Sequence, residues 1–423
     1  MFKTSKKRLP ALVLAALSGT ASAAGFQLLE QSASGLGNAY AGSAATAADA
    51  STVYYNPAGM TELSGRNLSL GVNYIDLSSQ YSDKGSTGRF AGTGENNGGD
   101  AAPVPNGYFT TQLSDSLFLG LGLGAPFGQK TDYSDSWRGR ATAITTDIKT
   151  ININPSLAWK INERWSLGGG VSYQKFDAAY SQGVTSVPSF GLSSATIVIG
   201  GDSYAWGWNL GMLFKPDAST KIGLSYRSSV KHKLDGTYRC DGGPASACTA
   251  VFGANVRGNA KLDIELPDTW IFSLARQVSE RWEVLGDLSH TGWSSIPGIN
   301  IRLSNGATLS KQYNWRDTTR VALGANYKVD DRWKAKFGIA YDQGVVDDTH
   351  RTPRLPDANR WWFSVGGQYK ASANGTLDFG YTYIKADKAR VADTSTTAIG
   401  GGVLNGEFAS HVQILGLQYS AKF

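Results

Sequence analysis

The sequence predicts an all-β protein: a transmembrane antiparallel β-barrel with a small, partly helical plug at its N-terminal end. Three observations predict it. An export signal is followed by no spanning helix, apolar and polar residues alternate along most of the chain, and glycine and aromatic residues are both in excess. The 423 residues include 51 Gly, 12 Trp and 19 Tyr at a mean hydropathy of −0.24. No run of roughly 18 apolar residues occurs, so no helix can cross a bilayer. A membrane barrel keeps hydropathy low because only every second side chain meets lipid, and it ends its strands in aromatic girdles. A secreted soluble β-protein would alternate too, but each apolar face would then need a second sheet to cover it.

The export segment is expected over residues 1–23. Lys3, Lys6, Lys7 and Arg8 form its basic region, Ala11 to Leu17 its apolar core, and Ala21-Ser22-Ala23 an A-x-A cleavage site. That core is far shorter than the ~20 residues of a spanning helix, so the mature chain is expected to begin at Ala24. The formal charge of +6 falls to +2 once the four cations of this segment are removed. The remaining basic residues are scattered, which excludes a nucleic-acid footprint. Export also bears on Cys240 and Cys248, which lie in the Gly/Pro-rich stretch RCDGGPASACTA. In an oxidising compartment two such thiols are expected to pair as a loop staple.

The strands are read from period-two alternation. In 66–76, Leu68, Leu70, Val72 and Tyr74 share one face. In 116–124, Leu117, Leu119, Leu121 and Leu123 oppose Phe118, Gly120, Gly122 and Gly124. Ile151, Ile153, Leu157 and Trp159 form a third apolar row, and Trp206, Trp208, Leu210, Met212 and Phe214 a fourth. A weak repeat (INERWSLGGG, VSERWEVLG, VDDRWKAKFG) places a short polar turn, then Trp165, Trp282 or Trp333, at the start of a new strand. Those turns read as periplasmic hairpins with interfacial tryptophans. Polar stretches at 82–106, 177–204, 237–260, 294–314, 343–360 and 386–408 read as extracellular loops. The chain ends in HVQILGLQYSAKF, with Leu415, Leu417, Tyr419 and Phe423 on one face. This ending resembles the terminal signal that barrel-assembly machinery reads.

Residues 24–65 do not alternate and are rich in Ala, Gly and Ser, as close packing inside a lumen requires. Phe26, Leu28, Leu36, Tyr40, Tyr54 and Tyr55 argue against a disordered linker. Asn56-Pro57 is a turn signal. The barrel is therefore assigned to residues 66–423 and the plug to 24–65.

The opening AGFQLLEQSASGLGNAYAG, followed by Asn56-Pro57-Ala58, resembles the N-terminal hatch of the FadL-type outer-membrane transporters of long-chain fatty acids. The likeness extends through TDIKTININPSLAWKINERWSLGGG, IELPDTWIFSL and LPDANRWWFS, and so over essentially the whole mature chain. It implies a monomeric barrel of about 14 strands in the outer-membrane lipid, passing a hydrophobic small molecule by diffusion without cofactor or metal. Phe26, Asn56, Pro57 and Ala58 would act in the hatch. The family carries a lysine before the strand that reads RVAL here, and Lys311 matches it. The family's partner arginine aligns with Gln182, a departure that leaves the carboxylate one cation short unless Arg316 or hydroxyls substitute. Pro126, Phe127 and Gly128 align with the kink that opens the wall sideways, and both proline and glycine disfavour continued pairing there.

The loop VPSFGLSSATIVIG offers Phe190, Leu192, Ile197 and Ile199 either as a hydrophobic capture patch or as loop-on-loop packing. Two ligands remain open, a fatty acid and a neutral or aromatic hydrocarbon. An outer-membrane hydrolase is the reading from another class. It finds no nucleophile motif beside His232, His290, His350 or His411.

Overall fold

The computed structural model describes residues 25–87, 94–184, 195–242, 248–249, 252–395 and 402–423. The expected export segment lies outside them. Among the described residues, fourteen strands close into a barrel, each antiparallel to its neighbours. They are β1 (Arg66–Asp83), β2 (Ala101–Gln112), β3 (Leu117–Gly124), β4 (Thr145–Lys160), β5 (Trp165–Gly183), β6 (Thr196–Asp217) and β7 (Thr220–Arg227). The second half comprises β8 (Thr269–Gln277), β9 (Trp282–Thr291), β10 (Thr318–Lys328), β11 (Trp333–Asp342), β12 (Arg360–Lys370), β13 (Gly375–Ala386) and β14 (Leu404–Lys422). β1 closes the cylinder by pairing with β14, from Asn67 opposite Lys422 to Asp83 opposite Gly406. Closure is required because unpaired backbone groups are too costly in hydrocarbon.

Alternation sets which face meets lipid. Leu70, Leu119, Leu121, Leu157, Leu210, Leu323, Leu415 and Leu417 are exposed on the outer wall, whereas inward positions carry Ser, Thr, Asn, Gly and Gln. The three repeat tryptophans stand beside the short turns and stack across strands. Trp165 meets Phe214 at 4.1 Å, Trp282 meets Tyr327 at 4.7 Å and Trp333 meets Tyr369 at 4.7 Å.

Much of what reads as extracellular loop is strand. Val230–Asp241 continues β7, Arg257–Leu266 leads into β8, and Gly298–Leu303 pairs with Thr308–Gln312. Their outward side chains are charged and paired, as in Lys261–Asp235 and Arg302–Asp263, so the segments look polar in sequence. Their inward side chains (Leu234, Tyr238, Leu262, Ile264, Ile299, Ile301) form an apolar core above the membrane belt. Cys240 and Cys248 are disulfide-bonded there, with Cα atoms 5.7 Å apart.

Residues 25–65 fill the lumen. They form two short helices, α1 (Ser43–Thr46) and α2 (Thr52–Tyr55), and 3-10 turns at Leu36–Asn38 and Pro57–Glu62. Asn56 ties the turn to the wall. Its Nδ2 donates to the carbonyls of Ala44 (2.6 Å) and Met212 (2.9 Å), while its Oδ1 accepts from the Ala58 amide at 3.1 Å. The wall yields room through glycine. A Cβ on Gly211 would lie 2.0 Å from Asn56 Oδ1, and one on Gly168 would lie 2.4 Å from the Ala58 nitrogen.

Candidate functional site

A cavity of about 270 Å³ lies under the extracellular strands, lined by Ile197, Ile199, Ile299, Ile301, Leu309 and Tyr313 with a small polar group on one side. That group contains Lys311, Gln182, Arg354 and Asp393. Lys311 Nζ lies 2.9 Å from Asp393 Oδ1, and Asp393 is 2 % exposed. Arg354 Nη2 donates to Gln182 Oε1 at 2.7 Å, and Nη1 donates to the Thr145 carbonyl and to Thr146 Oγ1, both at 3.2 Å. Its guanidinium lies 5.2 Å from the Tyr180 ring centre. Burial pulls the Arg354 pKa below the usual guanidinium value. Among the described residues no carboxylate hydrogen-bonds to Arg354, so its charge is available to a ligand in a way that of Lys311 is not.

Tyr313 of the cavity lining leads into a cluster of aromatic rings. Phe26 packs on Trp293 (5.1 Å), Phe127 (5.8 Å) and Trp315 (6.0 Å), and Trp315 stacks on Tyr313 at 5.0 Å. Phe26 therefore joins the hatch to this aromatic cluster.

The wall is interrupted beside this cluster. β2 pairs with β3 only from Gly107 opposite Leu123 to Gln112 opposite Phe118, although β2 stays paired with β1 along Ala101–Thr111. β3 breaks after Gly124 and resumes at Gly128–Asp132 with its register against β4 shifted by one residue. The hatch takes the vacated edge. Leu28 N donates to the Pro126 carbonyl (2.8 Å) and Gly128 N to that of Phe26 (2.9 Å). The opposite lip belongs to β2. Gln112 N donates to Gly65 O and Leu113 N to Leu117 O, so odd-numbered donors of β2 point toward β3. At the interruption two of those positions are Pro103 and Pro105, which have no N–H. The third, Ala101 N, is bonded to its neighbour Asp100 Oδ1 at 2.8 Å.

Glu30 lies in the hatch four residues after Phe26, 1 % exposed, with Oε2 unpartnered among the described residues. Burial raises its pKa from 4.5 to about 7, against smaller opposing effects that include Arg320 and Arg360. The docked hatch therefore favours the protonated form. The cost is absent below pH 4.5, grows up to about 7 and is complete above it, at about 3 kcal/mol. Exchange of hatch amides, corrected for intrinsic rates, should accelerate over that interval. In Glu30→Gln the rate should be flat and slower at about pH 8; an unchanged pH profile would count against it.

A family model described as outer membrane protein transport protein (OMPP1/FadL/TodX) matches residues 14–423. The chain belongs to this family. The long-chain fatty acid transport protein of Salmonella typhi is 32 % identical over 408 residues, covering 90 % of this chain and 92 % of that protein. The crystal structure of a Pseudomonas aeruginosa FadL homologue superposes with a TM-score of 0.87 at 25 % identity, covering 95 % of this chain and 100 % of the other. The toluene transporter TodX of Pseudomonas putida shares the fold, with a TM-score of 0.68 at 15 % identity over 93 % of this chain and 98 % of its own. The protein is thus a fourteen-stranded outer-membrane barrel of a transport family.

Among the residues singled out in the sequence, Lys311, Gln182, Ile197 and Ile199 line one cavity. Arg316 does not; its Nε donates to the Gly344 carbonyl at 3.1 Å. Phe190 and Leu192 lie outside the described residues. Phe26, Phe127, Pro126 and Gly128 meet at the wall interruption, and Asn56, Pro57 and Ala58 sit lower, against β5 and β6. Arg354 was not legible as a site residue, since it is 172 positions from Gln182 in the chain. His232 contacts Ser203 (3.2 Å) and Gln174 (3.1 Å), but none of the three lines the cavity.

Proposed function

We propose that the protein carries long-chain fatty acids across the outer membrane by passive diffusion. One observation carries the reading: an apolar cavity with Arg354, a cation bonded to no carboxylate among the described residues, supplied where the FadL-type arginine is replaced by Gln182. A mostly apolar pocket with few polar anchors suits an amphipathic acid. In this reading the acid enters the cavity tail-down, with its carboxylate on Arg354 and Lys311. Withdrawal of Phe26 opens the way to the interruption beside Pro126, Phe127 and Gly128, and the tail leaves through the wall into lipid. Residues 1–23 are an export signal, 24–65 the hatch and 66–423 the barrel. The chain acts as a monomer, is inserted by the barrel-assembly machinery and catalyses no reaction.

A channel for neutral or aromatic hydrocarbons is the second reading. It is favoured by Asp393, which already matches the charge of Lys311. Uptake of labelled oleate by cells with and without this chain, with unlabelled toluene as competitor, separates the two. Loss on deletion that resists toluene supports the fatty acid. No loss on deletion, or full displacement by toluene, would overturn it.

A further inference from the structure

Below the interruption, the inward faces of β4 to β7 hold a second cation without a carboxylate. Arg227, the last residue of β7, reaches back across two strands. Its Nη1 donates to Ser172 Oγ at 3.1 Å, and its Nη2 to the Tyr54 carbonyl (3.0 Å) and to Asn154 Oδ1 (3.3 Å). The guanidinium lies 4.2 Å from the centre of the Tyr54 ring on α2. Two other buried lumen cations are matched by acids, Lys336 by Asp378 at 2.7 Å and Arg360 by Asp342 at 3.6 Å, whereas Arg320 donates to the Ala39 carbonyl. Among the described residues no carboxylate hydrogen-bonds to Arg227.

Polar groups without partners stand around it. Asn209 lies directly opposite Arg227 in the β6–β7 ladder. Its Oδ1 accepts from Asn154 Nδ2 at 3.0 Å, while its own Nδ2 has no partner among the described residues, although the residue is 1 % exposed. Ser156 Oγ is likewise unpartnered at 3 % exposure. The two side chains share the space over Gly170, where a Cβ would lie 2.2 Å from Ser156 Oγ and 2.8 Å from Asn209 Oδ1. Buried polar groups left unpaired are costly, and an unspent guanidinium beside them more so. The position matters as much as the chemistry. Asn154 pairs with Gly122 of β3, two residues before the point where the β3 strand breaks.

We propose that Arg227, with Asn209 Nδ2 and Ser156 Oγ, forms an interior station for a carboxylate at the inner side of the wall opening. The inference rests on the fatty-acid reading above. A tail that slides sideways into hydrocarbon leaves its carboxylate in the lumen until last, and a bare carboxylate in an apolar passage is prohibitively costly. The planar fork of arginine suits that group better than any other side chain. The Tyr54 ring covers the guanidinium, so the station becomes available as α2 shifts.

The test uses the full chain, with oleate and the uncharged oleyl alcohol as probes. Arg227→Gln keeps an amide donor near Tyr54 and removes the charge. Asn209→Asp is isosteric and gives Arg227 an internal carboxylate that competes with the ligand. Both variants should move oleate about tenfold more slowly, as loss of a charged hydrogen bond implies, and oleyl alcohol at close to the wild-type rate. Equal change for both probes would make Arg227 only a hatch anchor and overturn the proposal, as would no change for either. Heat-modifiable gel mobility reports folding. If Arg227→Gln does not fold, the isosteric Asn209→Asp decides. A wild-type chain that moves no oleate would instead sink the fatty-acid reading itself, before any variant is compared.

Discussion

Arg354→Gln should reduce oleate uptake by roughly thirtyfold, because truncating one partner of a charge-assisted hydrogen bond in a dry pocket costs about 2 kcal/mol. Lys311→Gln should cost only a few-fold. The difference follows from how each charge is used. Lys311 is held 2.9 Å from a buried aspartate, whereas among the described residues Arg354 donates to neutral oxygens of Gln182, Thr145 and Thr146. Arg354→Lys should fall between, since it keeps the charge but loses the fork. Uptake of a neutral probe such as oleyl alcohol should be indifferent to all three. If Lys311→Gln proved the more damaging, the carboxylate would be read by the lysine that the family resemblance implies, and Arg354 would be a strut beneath it.

Gly128→Phe should reduce oleate uptake to near background while leaving the barrel folded by heat-modifiable mobility. A Cβ at this position would already lie 3.0 Å from Leu28 Cδ1 and 3.6 Å from the Ile148 carbonyl. A benzyl group therefore displaces the hatch segment and fills the inner lip of the interruption. Gly286→Phe is the control, because a Cβ there meets nothing within 4 Å. Normal uptake by Gly128→Phe would mean that the ligand leaves along the barrel axis and that the interruption is not a door.

The barrel was legible because period two survives any loop length. The outward rows Leu70-Val72-Tyr74 and Leu415-Leu417-Tyr419 are exposed as their parity requires, and Trp165, Trp282 and Trp333 stand exposed beside the short turns. The number fourteen was not legible from alternation, which marks segments without saying which pair; it came from the family resemblance. The upper strands 230–241 and 257–266 were missed because ion-paired outward faces mimic loop composition. At the candidate site the sequence pointed to Lys311 and to the loss at Gln182, since both rest on alignment to a motif. Arg354 carries no local pattern. It becomes visible only when the chain after β11 folds back over β5, a contact that no spacing rule encodes.

The two prolines on β2 bear on assembly as well as on passage. A strand whose edge is free inside a membrane is normally a template on which another chain can add a strand. Here that edge offers acceptors only, since Pro103 and Pro105 carry no hydrogen and Ala101 N is already engaged by Asp100. A foreign strand laid against it would find every second rung missing. The same chemistry that leaves the wall unpaired at this point denies an incoming polypeptide its donors, so two copies of this barrel can lie side by side in a crowded outer membrane without their ladders merging.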